Sequence, residues 1–201
     1  TTINSLALQD AFQHKGIKAA VAAGIVAGDP EAKLQVIGMM DAVCAGDFTG
    51  ASTFMKGQPD LGVNRDATDE VGVLIWNAFC DSITYELVGE CYGTEEGLAQ
   101  DMTITYLDIT SVTAVLKERS QALLEQRVDE AEDLDDVYDE DLQYREDFVM
   151  GVLYDAAKAA LEEDATTVTK TVTVKMMYQN EKWWIIGDKD LLDAISGGVL
   201  Y

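Results

Sequence analysis

Lys175-Met176-Met177-Tyr178-Gln179-Asn180-Glu181-Lys182-Trp183-Trp184-Ile185-Ile186 is the stretch whose reading decides the fold. Upstream of it, Val168, Val172, Val174, Met176 and Tyr178 alternate with Thr167, Thr169, Thr171 and Thr173, which predicts a strand with one wet face. Gln179 to Lys182 turns the chain, and Trp183 to Ile186 returns it as an apolar partner strand. Trp183 and Trp184 then fall on opposite faces, one in the core and the other partly exposed or covered by a helix. Asp188 caps a closing helix that carries Leu191, Leu192 and Ile195, and Gly197 and Gly198 end it.

A second hairpin precedes this one. Ile83, Tyr85, Leu87 and Cys91 alternate with Thr84, Glu86 and Glu90, a turn covers 93 to 97, and Met102, Ile104 and Tyr106 alternate with Thr103 and Thr105. Leu107 and Ile109 take the opposite parity, so either a bulge lies near Asp108 or the strand ends there.

Helical periods fill the interval between the hairpins. One helix carries Val112, Val115, Leu116, Leu123 and Val128, and another carries Leu142, Phe148, Val149, Val152, Ala156 and Ala159. Their junction, 129 to 141, is mostly acid. Asp133 and Asp135 have the interval of a calcium loop, but Val137 holds the third ligand position and Tyr138 stands where the sharp turn needs glycine, which excludes an EF-hand. A solvated acidic connection is the reading that fits, and no metal site is assigned.

The N-terminal part reads as punctuated helices. Asp29-Pro30-Glu31 opens one with Leu34, Ile37, Met40, Val43 and Cys44 at helical spacing, stopped at Gly46. Asp47 caps a shorter one with Phe48, Ala51 and Met55, ending near Gly57 and Pro59. After a loop over 58–65, Asp66 or Thr68 caps a third with Val71, Leu74, Ile75, Ala78 and Phe79. Residues 1–31 read as a helical extension. Ile17 to Gly28 is Ala- and Gly-rich helix rather than a signal peptide, and the absence of an initial methionine is compatible with a removed targeting segment.

The closing hairpin and helix resemble the end of NTF2-like (cystatin-like) domains found in uncharacterised bacterial surface lipoproteins. Ala45-Gly46-Asp47-Phe48 is similar to a helix junction near the start of such domains, and Tyr85 to Ile109 to their central hairpin, ending in Ile104, Thr105 and Asp108. The resemblance implies an α+β fold: a curved antiparallel sheet of about four strands packed on N-terminal helices. The domain would span 32–198, with a helical insertion over 110–164 before the C-terminal hairpin. It further implies an extracytoplasmic or cell-surface location and pairing into homodimers. Cys44 lacks the small residue before it that a lipid-modified cysteine needs.

Composition narrows the function. The 201 residues include 37 acids and 14 bases, a net charge of -23, which repels nucleic-acid phosphates and anionic lipid and attracts cations and basic polypeptides. No apolar run is long enough to span a membrane, so no membrane insertion is expected. The cysteines, Cys44, Cys80 and Cys91, are odd in number and stand outside zinc or redox spacing. His14, the single histidine, reads as an exposed surface residue, which leaves no material for histidine-based triads or metal sites.

No catalytic residue and no cofactor is assigned. The candidate pocket is Trp76, Tyr85, Tyr106 and Asp108, from elements that would line the sheet concavity, although all four also suit core packing or, for Asp108, helix capping. The expected function is a non-enzymatic binding or protein-interaction domain for an unknown protein or small-molecule ligand. The alternative is a small-molecule isomerase or lyase with a buried carboxylate in the concavity.

Overall fold

The computed structural model describes residues 29–61, 69–95 and 97–198. His14, residues 1–28 of the expected extension, and Asp66 and Thr68 lie outside them. Among the described residues, six α-helices and a four-stranded antiparallel sheet, ordered β1-β2-β3-β4 and not closed, make an α+β fold. The helices are α1 (Pro30–Cys44), α2 (Phe48–Ser52), α3 (Glu70–Ser82), α4 (Ile109–Glu130), α5 (Glu146–Glu163) and α6 (Lys189–Ile195). The strands are β1 (Thr84–Gly93), β2 (Leu98–Leu107), β3 (Thr167–Gln179) and β4 (Lys182–Ile185). Two compact units result: α1, α2, α6 and most of the sheet in one, and α3, α4, α5 with the ends of β2 and β3 in the other.

In the first unit the expected hairpin forms. Asn180 and Glu181 take φ of 53° and 61°, the pair of left-handed residues that a two-residue turn between twisted strands requires, and Gln179 pairs with Lys182. Trp183 is buried, stacked edge-on against Tyr178 at 5.2 Å, while Trp184 is half-buried with Lys182 Nζ 4.4 Å from its ring centroid. Beyond β4, the chain at Phe54 to Lys56 pairs with Ile185: Ile185 N–H donates to Phe54 O at 3.0 Å, and Lys56 N–H to Ile185 O at 2.8 Å. Asp188 caps α6 as expected, accepting from Leu191 N–H at 3.1 Å.

Asp29 caps α1 through Glu31 N–H. The buried stripe of α1 is Ala32, Val36, Met39, Met40 and Val43, rotated from the expected one, so that Leu34 is exposed. The short Ala32 lets the helix turn that face inward, which a count of large apolar residues overlooks.

β1 and β2 pair in register from Thr84↔Thr105 to Val88↔Asp101, then resume at Tyr92↔Ala99. A bulge thus lies between Val88 and Tyr92, where Gly89 takes φ 68°; near Asp108, β2 simply ends. The fully buried Gln100 fills the gap in the ladder. Its Nε2 donates to Val88 O at 3.0 Å and Asp101 O at 2.9 Å, and its Oε1 accepts from Cys91 Sγ at 3.2 Å.

In the second unit, Asp69 caps α3, accepting from Val71 N–H at 3.0 Å. Ser82 Oγ closes α3 onto the end of β2 by accepting Leu107 N–H at 2.7 Å. α4 and α5 lie side by side, tied by Arg119 to Glu163 and Asp164 and by Arg127 to Asp155. Such exposed pairs add little stability; the join rests on Val112, Val152, Ala156, Ala157 and Ala160, all buried. No described helix is long and apolar enough to cross a membrane.

Candidate functional site

The four residues expected to share a pocket divide between the units. Trp76, Phe79 and Tyr106 form an aromatic row in the second, with centroids 5.2 and 5.8 Å apart, and Tyr106 is buried. Asp108 caps α4, its Oδ1 accepting Ser111 N–H at 3.1 Å, while its own N–H donates to Thr166 O at 2.9 Å. Tyr85 belongs to the first unit, where its hydroxyl donates to Asp41 Oδ1 at 2.8 Å. Burial, and then that bond, push the Tyr85 hydroxyl up to about 12, so it stays protonated. Burial likewise pushes up the Cys44 and Cys91 thiols, and none of the three cysteines is in a disulfide among the described residues.

Chemistry of another kind is concentrated between α4 and α5. Residues 129–147 hold eleven acids and one base, Arg145. The segment is folded rather than loose. Asp133 accepts Asp135 N–H at 3.0 Å and opens a 3-10 turn, Leu134–Asp136; Val137 behind it is buried. Tyr138 and Tyr144 then pair as an isolated antiparallel bridge, rings stacked at 5.1 Å, and Tyr144 stacks on Phe148 at 6.3 Å.

The tip of this small loop is built by one carboxylate. Asp139 Oδ1 accepts both Asp141 N–H and Gln143 N–H at 2.9 Å, while Asp139 N–H donates to Gln143 O at 2.8 Å and Leu142 N–H to Asp139 O at 3.1 Å. Leu142, expected on the apolar stripe of a helix, is instead held at φ 57° with 79% of its surface exposed; α5 begins only at Glu146. A left-handed conformation costs a leucine roughly 1–2 kcal/mol. The bonds around Asp139 oppose that strain, and the outcome is an isobutyl group displayed among carboxylates. Leu134 and Tyr144 are also exposed nearby, at 60% and 44%.

At its base, an open cleft of about 580 Å³ is lined by Asp139, Arg145, Glu146, Asp147 and Met150. Arg145 Nε and Nη2 donate to the two Asp147 oxygens at 3.2 and 3.4 Å, which lowers the Asp147 carboxyl below its ordinary range. Among the described residues no His, Cys, Asp and Glu group is placed to hold a metal ion. The sequence signal for this site was the flanking pair Tyr138 and Tyr144 around a turn-forming Asp139.

No family model matches the chain, nor does any curated protein or solved structure.

Proposed function

We propose that this chain is a non-enzymatic protein-interaction domain that grips a cationic partner by its acidic loop, with Leu142 as the anchor. The observation that carries this reading is the exposed Leu142 held at φ 57° directly after Asp139, Glu140 and Asp141. Exposed leucines are common, but a strained one fixed by a dedicated carboxylate is a preformed contact. The matching partner has an apolar pocket edged by Lys or Arg: the charges speed encounter, and the buried leucine holds the complex. The isomerase or lyase alternative draws no support from Asp108, whose carboxylate is engaged in capping.

The likeness to NTF2-like domains, and the extracytoplasmic placement that it implies, belong to the same proposal. The open four-stranded antiparallel sheet and the closing hairpin and helix support it.

The test uses immobilised Lys- and Arg-rich peptides, each with a single apolar side chain, titrated against the parent and Leu142→Ser. Loss of a buried leucine removes about 1.5–3 kcal/mol, so the variant should bind at least about tenfold more weakly with an unchanged salt dependence. Equal affinity for parent and variant sinks the proposal. Leu142→Gly should lose binding too, yet gain about 1 kcal/mol in stability by relieving the left-handed strain.

A further inference from the structure

Among the described residues, β3 is the longest strand, and for much of its length it is paired on one side only. β2 covers one edge of β3, as Thr103 facing Thr171 and Thr105 facing Thr169 show, with hydroxyl separations of 3.4 and 2.9 Å. On the other edge β4 pairs only with Met176–Gln179, and Ile186 N–H then donates to Lys175 O at 2.8 Å. That last bond fixes a direction. The peptide groups of Lys175 and of each second residue before it, Thr173, Thr171 and Thr169, point away from β2. Among the described residues no strand meets this edge at Thr169–Thr173.

The edge is not bare surface but one wall of a groove. Lys170, Thr171, Val172, Thr173 and Lys175 face Asp188, Asp190 and Asp193 of α6 and its cap across a volume of about 580 Å³. Lys175 Nζ meets Asp188 at 2.7 Å, and Lys170 Nζ meets Asp193 at 2.8 Å. Asp190 is exposed and has no ion pair among the described residues. From Thr169 to Lys175 the edge runs about 20 Å, room for an added segment of about six residues.

We infer that this groove takes an extended, cationic segment of another protein, added as a fifth strand beside β3 against α6. Charge selects the occupant. An antiparallel second copy would press together two chains of net charge -23. Lys170 also stands on the same strand face as Val172 and Val174, which are buried, and an inward charge on an edge discourages apolar strands. Asp193 neutralises that lysine, so the deterrent does not extend to a cationic strand, which gains Asp190. This site is separate from the acidic loop and does not depend on Leu142.

The experiment is amide hydrogen exchange by NMR on the whole chain, with an eight-residue peptide of alternating Lys and Val as the probe. Strand addition should slow exchange at Thr169, Thr171 and Thr173 by about tenfold or more. The same peptide N-methylated at alternate residues keeps its charge but cannot complete the ladder, and it should leave these amides unchanged. Thr171→Pro removes an edge N–H where proline is tolerated, so the variant should keep the β3–β4 signals and lose the peptide. No protection, equal protection by the N-methylated peptide, or undiminished binding to Thr171→Pro would each overturn the inference. So would protection of the free chain accompanied by a dimer's mass in sedimentation, since a second copy would then own the edge.

Discussion

The carboxylate of Asp29 accepts the indole N–H of Trp183 at 3.1 Å, joining residues 154 positions apart, while its other oxygen accepts Glu31 N–H at 2.8 Å. One side chain therefore starts α1 and satisfies the polar tip of the largest buried residue.

Asp29→Ala should cost about 2–3 kcal/mol, about 1 for the cap and the remainder for an indole left without this acceptor. Asp29→Asn, which keeps an acceptor, should recover more than half. Urea denaturation followed by Trp fluorescence measures both, and a loss below about 1 kcal/mol for the alanine variant would show that the bond adds nothing beyond the cap.

Gly97 ends the turn between β1 and β2, and a Cβ there would lie 2.1 Å from the Met176 carbonyl oxygen, a backbone atom that cannot swing aside. Gly97→Ala should destabilise by about 2 kcal/mol or more. At Gly57 a Cβ meets open space but the φ of 79° still disfavours it, so Gly57→Ala should cost about 1–2 kcal/mol from backbone strain alone. Thermal melts of the pair separate close packing from strain, and equal losses would contradict the contact.

Tyr85 is an acid whose folded pKa, pushed to about 12, lies above its ordinary 10. Folding therefore favours the protonated hydroxyl: its contribution is complete below pH 10, declines as pH climbs through 12, and is lost once the folded state ionises. Stability measured between pH 9 and 12 should fall more steeply for the parent than for Tyr85→Phe. Parallel curves would mean that Asp41 and burial do not hold the proton.

The parts of the fold legible in the sequence are those governed by neighbours along the chain. Threonine alternation marked β3, and Asp188 and Asp47 marked the helix starts that they cap. What escaped was decided at longer range or by cancellation. The bulge in β1 inserts two residues, so Leu87 and Cys91 keep the same parity and a period-2 reading sees an unbroken strand. Leu142 escaped because its conformation is imposed by Asp139 and the tyrosine stack, not by its own preference. For the candidate pocket, sequence could not assign Tyr85 and Tyr106 to different units.

Gln100 gives the first hairpin a memory of its own alignment. Sliding β1 against β2 by two residues would preserve every inward and outward side chain, so hydrophobicity alone scarcely distinguishes the two pairings. Only one of them sets the Val88 carbonyl and the Cys91 thiol of β1 against the buried amide; in the other it keeps only the Asp101 carbonyl of its own strand, a loss of roughly 1–3 kcal/mol. The choice between registers is thus written in a single polar side chain at the heart of the sheet, and replacing it with leucine would leave the strands free to settle in either.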